Sequence, residues 1–341
     1  MRVGNRIINA QSPVFTIAEA GVNHNGDIDL AFKLIDVAAQ AKADAVKFQA
    51  FKTEHLILSD VEKAPYQKET TGTTQSQFEM LKALEVTAES NRKLKAYAES
   101  QGLIFLTTPF DEVSLEELDE LELPAYKIAS TDLTNIPFLR RVAKRNRPVF
   151  LSTGMSYLSE VELALGCFEP TQVVLLQCSA NYPLKDSEAE LEVLNTYRTY
   201  FPDYVLGYSD HTVGLGASCY AVAMGAKVVE KHFTLEGMSD GPDHAASLSP
   251  GQLADWVAEI RKVERYLGTG VKKPLLCELA TRASLQKSLV ALSDIQEGDA
   301  FSAENVVAKR TGGAGISPIH WPELEGKTAR RSFTKDSLIE L

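Results

Sequence analysis

The sequence predicts an α/β fold, a (β/α)8 TIM barrel, with a small β-rich domain behind it. Three observations carry that expectation. Eight short apolar runs recur between residues 14 and 267: VFTIAEA, DAVKFQA, LIFLTT, AYKIAS, VFLST, VVLLQCS, YVLGYS and KVVEKHF. Segments of helical periodicity, such as DLAFKLIDVAAQAK and PFLRRVAKRN, separate nearly every pair. Beyond Leu267 the periodicity stops and turn signals take over. Each run is continuous rather than alternating, as in parallel strands covered on both faces. Eight β-then-α units over about 250 residues are what a closed barrel requires. An open doubly wound sheet is the rival, and such sheets usually have fewer units.

Taken in order, the opening RVGNRIIN places Gly4-Asn5 between apolar residues, a hairpin that could plug the bottom of the barrel. About fifty residues then part the second run from the third, too many for one βα unit. Their polar centre, APYQKETTGTTQSQ, reads as a long loop (residues 64–78) over the barrel mouth. The barrel domain is assigned to 1–267. GTGVKKPLLCELATR (268–282) reads as a linker, and 283–341, with turns at Glu297-Gly298-Asp299 and Gly312-Gly313, as a β-rich domain. At about 60 residues that last domain is thin on core and needs a packing partner.

Bulk composition narrows the function. The chain of 341 residues is 44% hydrophobic and 24% charged, enough for a sizeable core. A net charge of -11 argues against nucleic acid as a partner, while leaving room for lysines gathered in one anion pocket. Four cysteines without a C-x-x-C pair read as reduced thiols. No signal peptide or membrane span is visible, so a cytoplasmic protein is expected.

Residues that close barrel strands face the mouth where active sites of this fold lie. In chain order they are Glu19; Lys47 and Gln49; Thr107 and Thr108; Lys127 and Ser130; Ser152 and Thr153; Asn181 and Tyr182; Ser209 and His211; and His232. His211 and His232 close neighbouring strands seven and eight. Two histidines hydrogen-bonded at a core edge would be the ordinary reading of any random pair. Convergence at the mouth favours a first-row metal with positions left open for water and substrate, and Asp210 or Glu230 could orient the rings. Lys47 and Lys127 are single charges inside apolar runs, and buried lysines need partners. Among so many hydroxyls they suit a phosphate or carboxylate. A Schiff base on Lys127 is the competing chemistry. Glu19 is a candidate for proton transfer or for a sugar hydroxyl. His24 and Asn25 follow it in a loop, and the turn GPDHAAS, with Asp243 and His244, needs no function to explain it.

The ordered set IAEAGVNHNGD, VKFQAFK, TTPFD, YKIAS, LSTGM, CSANYP, GYSDHT, EKHFTL and GPDHAASL resembles the sialic acid synthase family, the bacterial nonulosonic acid synthases. The tail, with AKRTGGAGISP and LEGKTARRSFTKDSLI, is similar to that family's antifreeze-like (SAF/β-clip) domain. The resemblance runs from about residue 12 to the end. It implies an enzyme joining phosphoenolpyruvate to an N-acetylated mannose-type sugar, with phosphate released by C–O cleavage. It makes His211 and His232 ligands of a divalent cation, Mn2+ or Mg2+. Phosphoenolpyruvate would be held by Lys47, Gln49, Thr108, Lys127, Ser130, Ser152, Asn181 and Ser209. Glu19, Tyr182 and Asp243 would face the sugar, with Glu19 as acid/base. Arg310 would reach the sugar's N-acetyl group in the barrel of the other subunit of a domain-swapped homodimer.

The acceptor implied first is N-acetylmannosamine, giving N-acetylneuraminate. The alternative is 2,4-diacetamido-2,4,6-trideoxymannose, giving N,N'-diacetyllegionaminate, and pseudaminate synthesis is the remaining member. Two departures from the family pattern stand out. Thr311 follows Arg310 where many relatives have proline, before a longer glycine run, and Gln75 stands near where some relatives place a sugar-contacting asparagine. A pyruvate aldolase and a carbohydrate- or ice-binding protein built on the C-terminal domain are the rivals. The second leaves the strand-end residues unexplained.

Overall fold

A computed structural model describes residues 1–235 and 241–340. The chain divides into two compact units, Met1–Gly268 and Thr269–Leu341. In the first, eight strands form one parallel sheet: β1 (Phe15–Gly21), β2 (Ala45–Ala50), β3 (Ile104–Pro109), β4 (Tyr126–Ile128), β5 (Val149–Ser152), β6 (Val173–Gln177), β7 (Val205–Asp210) and β8 (Val228–His232). The order around the sheet is β3-β2-β1-β8-β7-β6-β5-β4, so sequential neighbours pair and β8 closes on β1. That is a TIM-type barrel, nearly closed. The seam between β3 and β4 carries no ladder among the described residues.

Strand pleating sorts the side chains. The first, third and fifth residues of β1 and of β8 point inward, and in the lower barrel Phe15, Ile17, Phe150, Val174, Leu176 and Val228 pack together, Phe15 and Phe150 stacked at 5.8 Å. The hairpin Arg2–Val3/Arg6–Ile7 closes that end with Val3 and Ile8, as its apolar residues suggested. Gly207 of β7 has no room for a side chain: a Cβ there would stand 2.6 Å from the Val228 carbonyl oxygen. The alternate residues of each strand pack outward against the helices.

The helix Pro250–Leu267 shows why such segments form. Ser249 accepts from the Gln252 amide at its start, Pro250 takes the first position, and Leu253, Trp256, Val257 and Ile260 line one buried face. It fastens the barrel's ends: Arg261 donates to the Val14 carbonyl at 2.6 Å and pairs with Asp44 at 2.7 Å, while Glu264 takes the Val14 amide.

The insertion between β2 and β3 is not the loop expected. It holds the short helices Thr53–Leu56, Pro65–Thr71 and Gln77–Leu84 before the longer Ala88–Ser100. Ser76 and Glu79 form a reciprocal capping box, a signal the sequence carried. In the second unit, a helix Leu279–Leu285 runs across the position read as the end of a linker. Behind it β9 (Lys287–Ala291) pairs antiparallel with β10 (Val306–Arg310), around a core of Leu289, Ile295, Phe301, Phe333 and Ile339. No helix among the described residues is long and apolar enough to cross a membrane.

Candidate active site

The inward positions at the upper end of the strands are polar and buried. Glu19, Lys47, Lys127, Ser152, Ser209, His211, Glu230 and His232 are all at most 5% exposed. Register explains the gathering. Across the ladders His232 pairs with Glu19, Glu19 with Lys47, Gln49 with Thr108, and Glu230 with Ser209. They line a cavity of about 610 Å³ together with Gln49, Thr108, Ser130, Tyr182 and Asp243.

Two buried lysines and two buried carboxylates make its floor. Lys47 Nζ lies 2.8 Å from Glu19 Oε2 and 3.8 Å from Glu230 Oε2, and donates to Thr108 Oγ1 at 3.0 Å. Lys127 Nζ stands 3.7 Å from Glu230 Oε1, which also accepts from Ser209 Oγ at 2.8 Å. The environment drives the two carboxylates apart. Burial pushes Glu19 up to about 7 against the pull of Lys47. Glu230 is buried as deeply, but Lys127 and Lys47 overcome that and hold it well below the usual carboxylate range. One acid therefore keeps a proton near neutrality while the other stays ionised, the separation that general acid–base chemistry uses. The lysines also split. Burial lowers Lys127; it opposes Lys47 too, where the adjoining Glu19 and Glu230 prevail and raise it.

The histidines sit above this floor with ring centroids 5.7 Å apart. His211 Nδ1 donates to the Ser179 carbonyl at 2.7 Å, which leaves Nε2 as the lone-pair nitrogen of a neutral ring. Burial holds His211 down to about 4, and burial and then His211 hold His232 well below its ordinary value. His232 Nδ1 is buried without a hydrogen-bond partner, 3.9 Å from Asp243 Oδ2, whose own carboxyl burial raises to about 6. Two neutral imidazoles at the cavity fit a cation that takes its other ligands from solvent and substrate. Among the described residues no group of three or more His, Cys, Asp or Glu is set to hold one.

Several expectations change. Neither Asp210 nor Glu230 orients a histidine ring. Asp210 points to the opposite face of β7, toward Thr212, Ser218 and Lys231, and Glu230 faces the lysines. Asn181 is exposed, bonds to the Pro183 carbonyl and lies outside the cavity, because the chain has already left β6. Thr153 is tied to the Leu176 carbonyl and Tyr197. Gln75 borders a neighbouring cavity of about 430 Å³, whereas Gln67 and Gln77 reach the main one. Arg310 is the exposed last residue of β10, in the second unit. Residues not singled out also line the site: Tyr66, whose ring lies 5.1 Å from that of Tyr182, and Cys178, 3.0 Å from Ser130 Oγ. Tyr182 itself packs its ring against that of His211, centroids 4.1 Å apart and planes inclined at 41°.

His24 and Asn25 shape the turn after β1. His24 Nδ1 accepts the Gly26 amide, and Asn25 Oδ1 meets His244. Burial, opposed by Asp27, keeps His24 neutral down to about 4 in the folded chain. Unfolded, the ring takes a proton near 6.5. Its contribution is therefore complete above pH 6.5 and lost as pH falls through about 4. His24→Asn, which keeps an acceptor for Gly26, is expected to lose about 3 kcal/mol less than the wild type on acidification from pH 7 to pH 4. Urea titrations at the two pH values check this.

The comparisons with known proteins bear on the whole chain. Residues 34–272 match the NeuB family and residues 286–340 match the SAF domain. The chain belongs to the NeuB family. This NeuB-family chain is 43% identical to N,N'-diacetyllegionaminic acid synthase of Campylobacter jejuni over 95% of its own length and 98% of the relative's. It is 42% identical to the protein of that name in Legionella pneumophila, over 94% of each. Among solved structures, N-acetylneuraminic acid (sialic acid) synthetase from Leptospira borgpetersenii, in complex with citrate, superposes with a TM-score of 0.73. There the identity is 34%, over 84% of this chain and 96% of that one. The family is one of synthases acting in sialic and legionaminic acid synthesis, so this NeuB-family chain is an enzyme.

Proposed function

We propose that the enzyme condenses phosphoenolpyruvate with the open-chain aldehyde of an N-acetylated mannose-type sugar. A bond forms between C3 of the enol and C1 of the sugar, water adds at C2, and the C2–O bond breaks to release phosphate. The observation that carries this reading is the floor of the cavity, where two buried ammonium groups share two carboxylates directly beneath a pair of neutral imidazoles.

In this reading Lys47 and Lys127 hold the phosphate and carboxylate of the enol and steady their charge as the C2–O bond breaks. Ser130, Ser152, Ser209, Gln49 and Thr108 add polar contacts. Ser152 Oγ is buried without a partner and so is free to give one. Glu230 fixes the spacing of the two lysines. Glu19 moves the proton of the attacking water or of the sugar hydroxyl. Tyr182 and Asp243 face the sugar. His211 and His232 would hold Mn2+ or Mg2+, which when bound supplies Lewis acidity toward a carbonyl oxygen.

The acceptor best supported is 2,4-diacetamido-2,4,6-trideoxymannose rather than N-acetylmannosamine. The relatives named for diacetyllegionaminic acid stand at 43% and 42% identity, against 34% for the structure named for N-acetylneuraminic acid. A domain-swapped homodimer, with Arg310 reaching the partner's sugar, is part of the proposal. A chain ending at Leu267 that keeps full activity would remove Arg310 from it.

Purified enzyme is expected to release phosphate from phosphoenolpyruvate when given the diacetamido sugar and Mn2+, and to stop on addition of EDTA. No release with any acceptor rejects the synthase. The lowered basicity of Lys127 favours one second reading, a Schiff base with pyruvate. Borohydride treatment in the presence of pyruvate should leave no adduct on Lys127, and a stable adduct would replace the synthase with an aldolase.

A further inference from the structure

His211 and His232 are held in different ways. His232 is the last residue of β8 and still pairs with Glu19 of β1, while the Leu248 amide donates to its carbonyl at 2.9 Å. The ladder between β7 and β8 ends one pair earlier, at Asp210 and Lys231. His211 therefore stands beyond it. Its ring donates to the Ser179 carbonyl and its own carbonyl accepts the Leu184 amide at 2.8 Å. Both partners belong to the segment after β6, so these bonds tie His211 to the β6 side and leave its distance from His232 unset. Two rings that share one ion need that spacing held to within about 0.5 Å.

The link across to β8 lies on the outer face of the sheet. Lys231 Nζ donates to the Thr212 carbonyl at 2.6 Å and pairs with Asp210 Oδ2 at 3.1 Å. Thr212 in turn donates to Asp210 Oδ1 through its amide at 3.0 Å and its hydroxyl at 2.6 Å. Ser218 holds the other carboxylate oxygen from the start of the helix Ser218–Ala223. The residue before one histidine thus fastens the residues on either side of the other. Gly216 is fitted to this clasp. With its φ at +60°, a Cβ there would run into Thr212 Oγ1 and stand 2.8 Å from both Asp210 Oδ2 and Lys231 Nζ. Cohesion alone does not call for such a device. A well-packed apolar pair holds two strands together about as well as a buried ion pair, but it cannot aim a bond at one carbonyl. We infer that Asp210 and Lys231 are positioning residues that fix the spacing of His211 and His232 from behind the barrel wall, and so set the affinity for a divalent cation. The inference rests on the reading of the two histidines as metal ligands.

Mn2+ binding in the absence of substrates separates positioning from folding. Free Mn2+ is counted by EPR with the full-length enzyme stripped of metal, and urea titration gives the folded fraction of each variant. Lys231→Met keeps the stem and loses the ammonium, and is expected to bind Mn2+ about tenfold more weakly per folded molecule. Asp210→Asn, which keeps the size of the side chain, should show a loss of the same order, and decides the matter if Lys231→Met does not fold. Ile35→Val trims the core from the helix Ile28–Gln40 and should leave the affinity within about twofold of the wild type. Wild-type affinity in both clasp variants, or an equal loss in Ile35→Val, overturns the inference and leaves the histidines as ligands. No binding of Mn2+ by the wild type overturns both.

Discussion

Lys47→Met is expected to lower phosphate release by about 10³-fold and to weaken the barrel at the same time. The first effect follows from losing a preorganised cation where charge develops. The second follows from what remains: Glu19 and Glu230, both buried, with Lys127 as their single counter-ion. Breaking a buried ion pair from one side costs about 3–5 kcal/mol. Glu19 sheds part of that cost by keeping its proton, so the double variant Lys47→Met/Glu19→Gln should regain most of the stability and none of the turnover. Urea denaturation and a phosphate assay on the four members of the cycle measure both quantities. Turnover within threefold of wild type in the single variant would remove Lys47 from the chemistry.

Asp210→Ala is the larger perturbation outside the cavity, about 3–5 kcal/mol of unfolding free energy. Asp210 and Lys231 are fully buried between β7, β8 and the helix Ser218–Ala223, 3.1 Å apart. Their surroundings are unequal. Asp210 accepts from Thr212 and Ser218 through both backbone and hydroxyl groups, whereas Lys231 has the Thr212 carbonyl besides its partner. Deleting the acid strands a charge. Deleting the amine leaves a carboxylate with four donors, so Lys231→Met should cost only about 1–2 kcal/mol. Chemical denaturation of the two variants decides it, and a Lys231→Met loss exceeding that of Asp210→Ala would contradict this account.

The barrel was legible because parallel strands covered on both faces leave unbroken apolar runs. Each run quoted from the sequence covers one of the eight strands to within one residue. The hairpin plug was legible from Gly4-Asn5. Lys47, Lys127, His211 and His232 could be picked out as polar residues closing apolar runs, and the structure brings them together. Glu230 was placed on the wrong partner. Its position two before His232 already put it on the same face, and the two lysines opposite demanded an anion, so pleat parity and charge balance together would have found it. Asn181 failed because parity says nothing once a strand has ended. The insertion's helices and their hydrophobic cluster were hidden in a stretch judged by its polar centre, although Ser76 and Glu79 announce a helix and Met80, Leu81 and Leu84 its packed side.

The far end of the barrel is stoppered by Val3 and Ile8 against Phe15, Phe150 and Val228. Traffic therefore uses a single doorway. Whatever rests against the lysines at the bottom of such a blind tube has to enter before the molecule lodged above it.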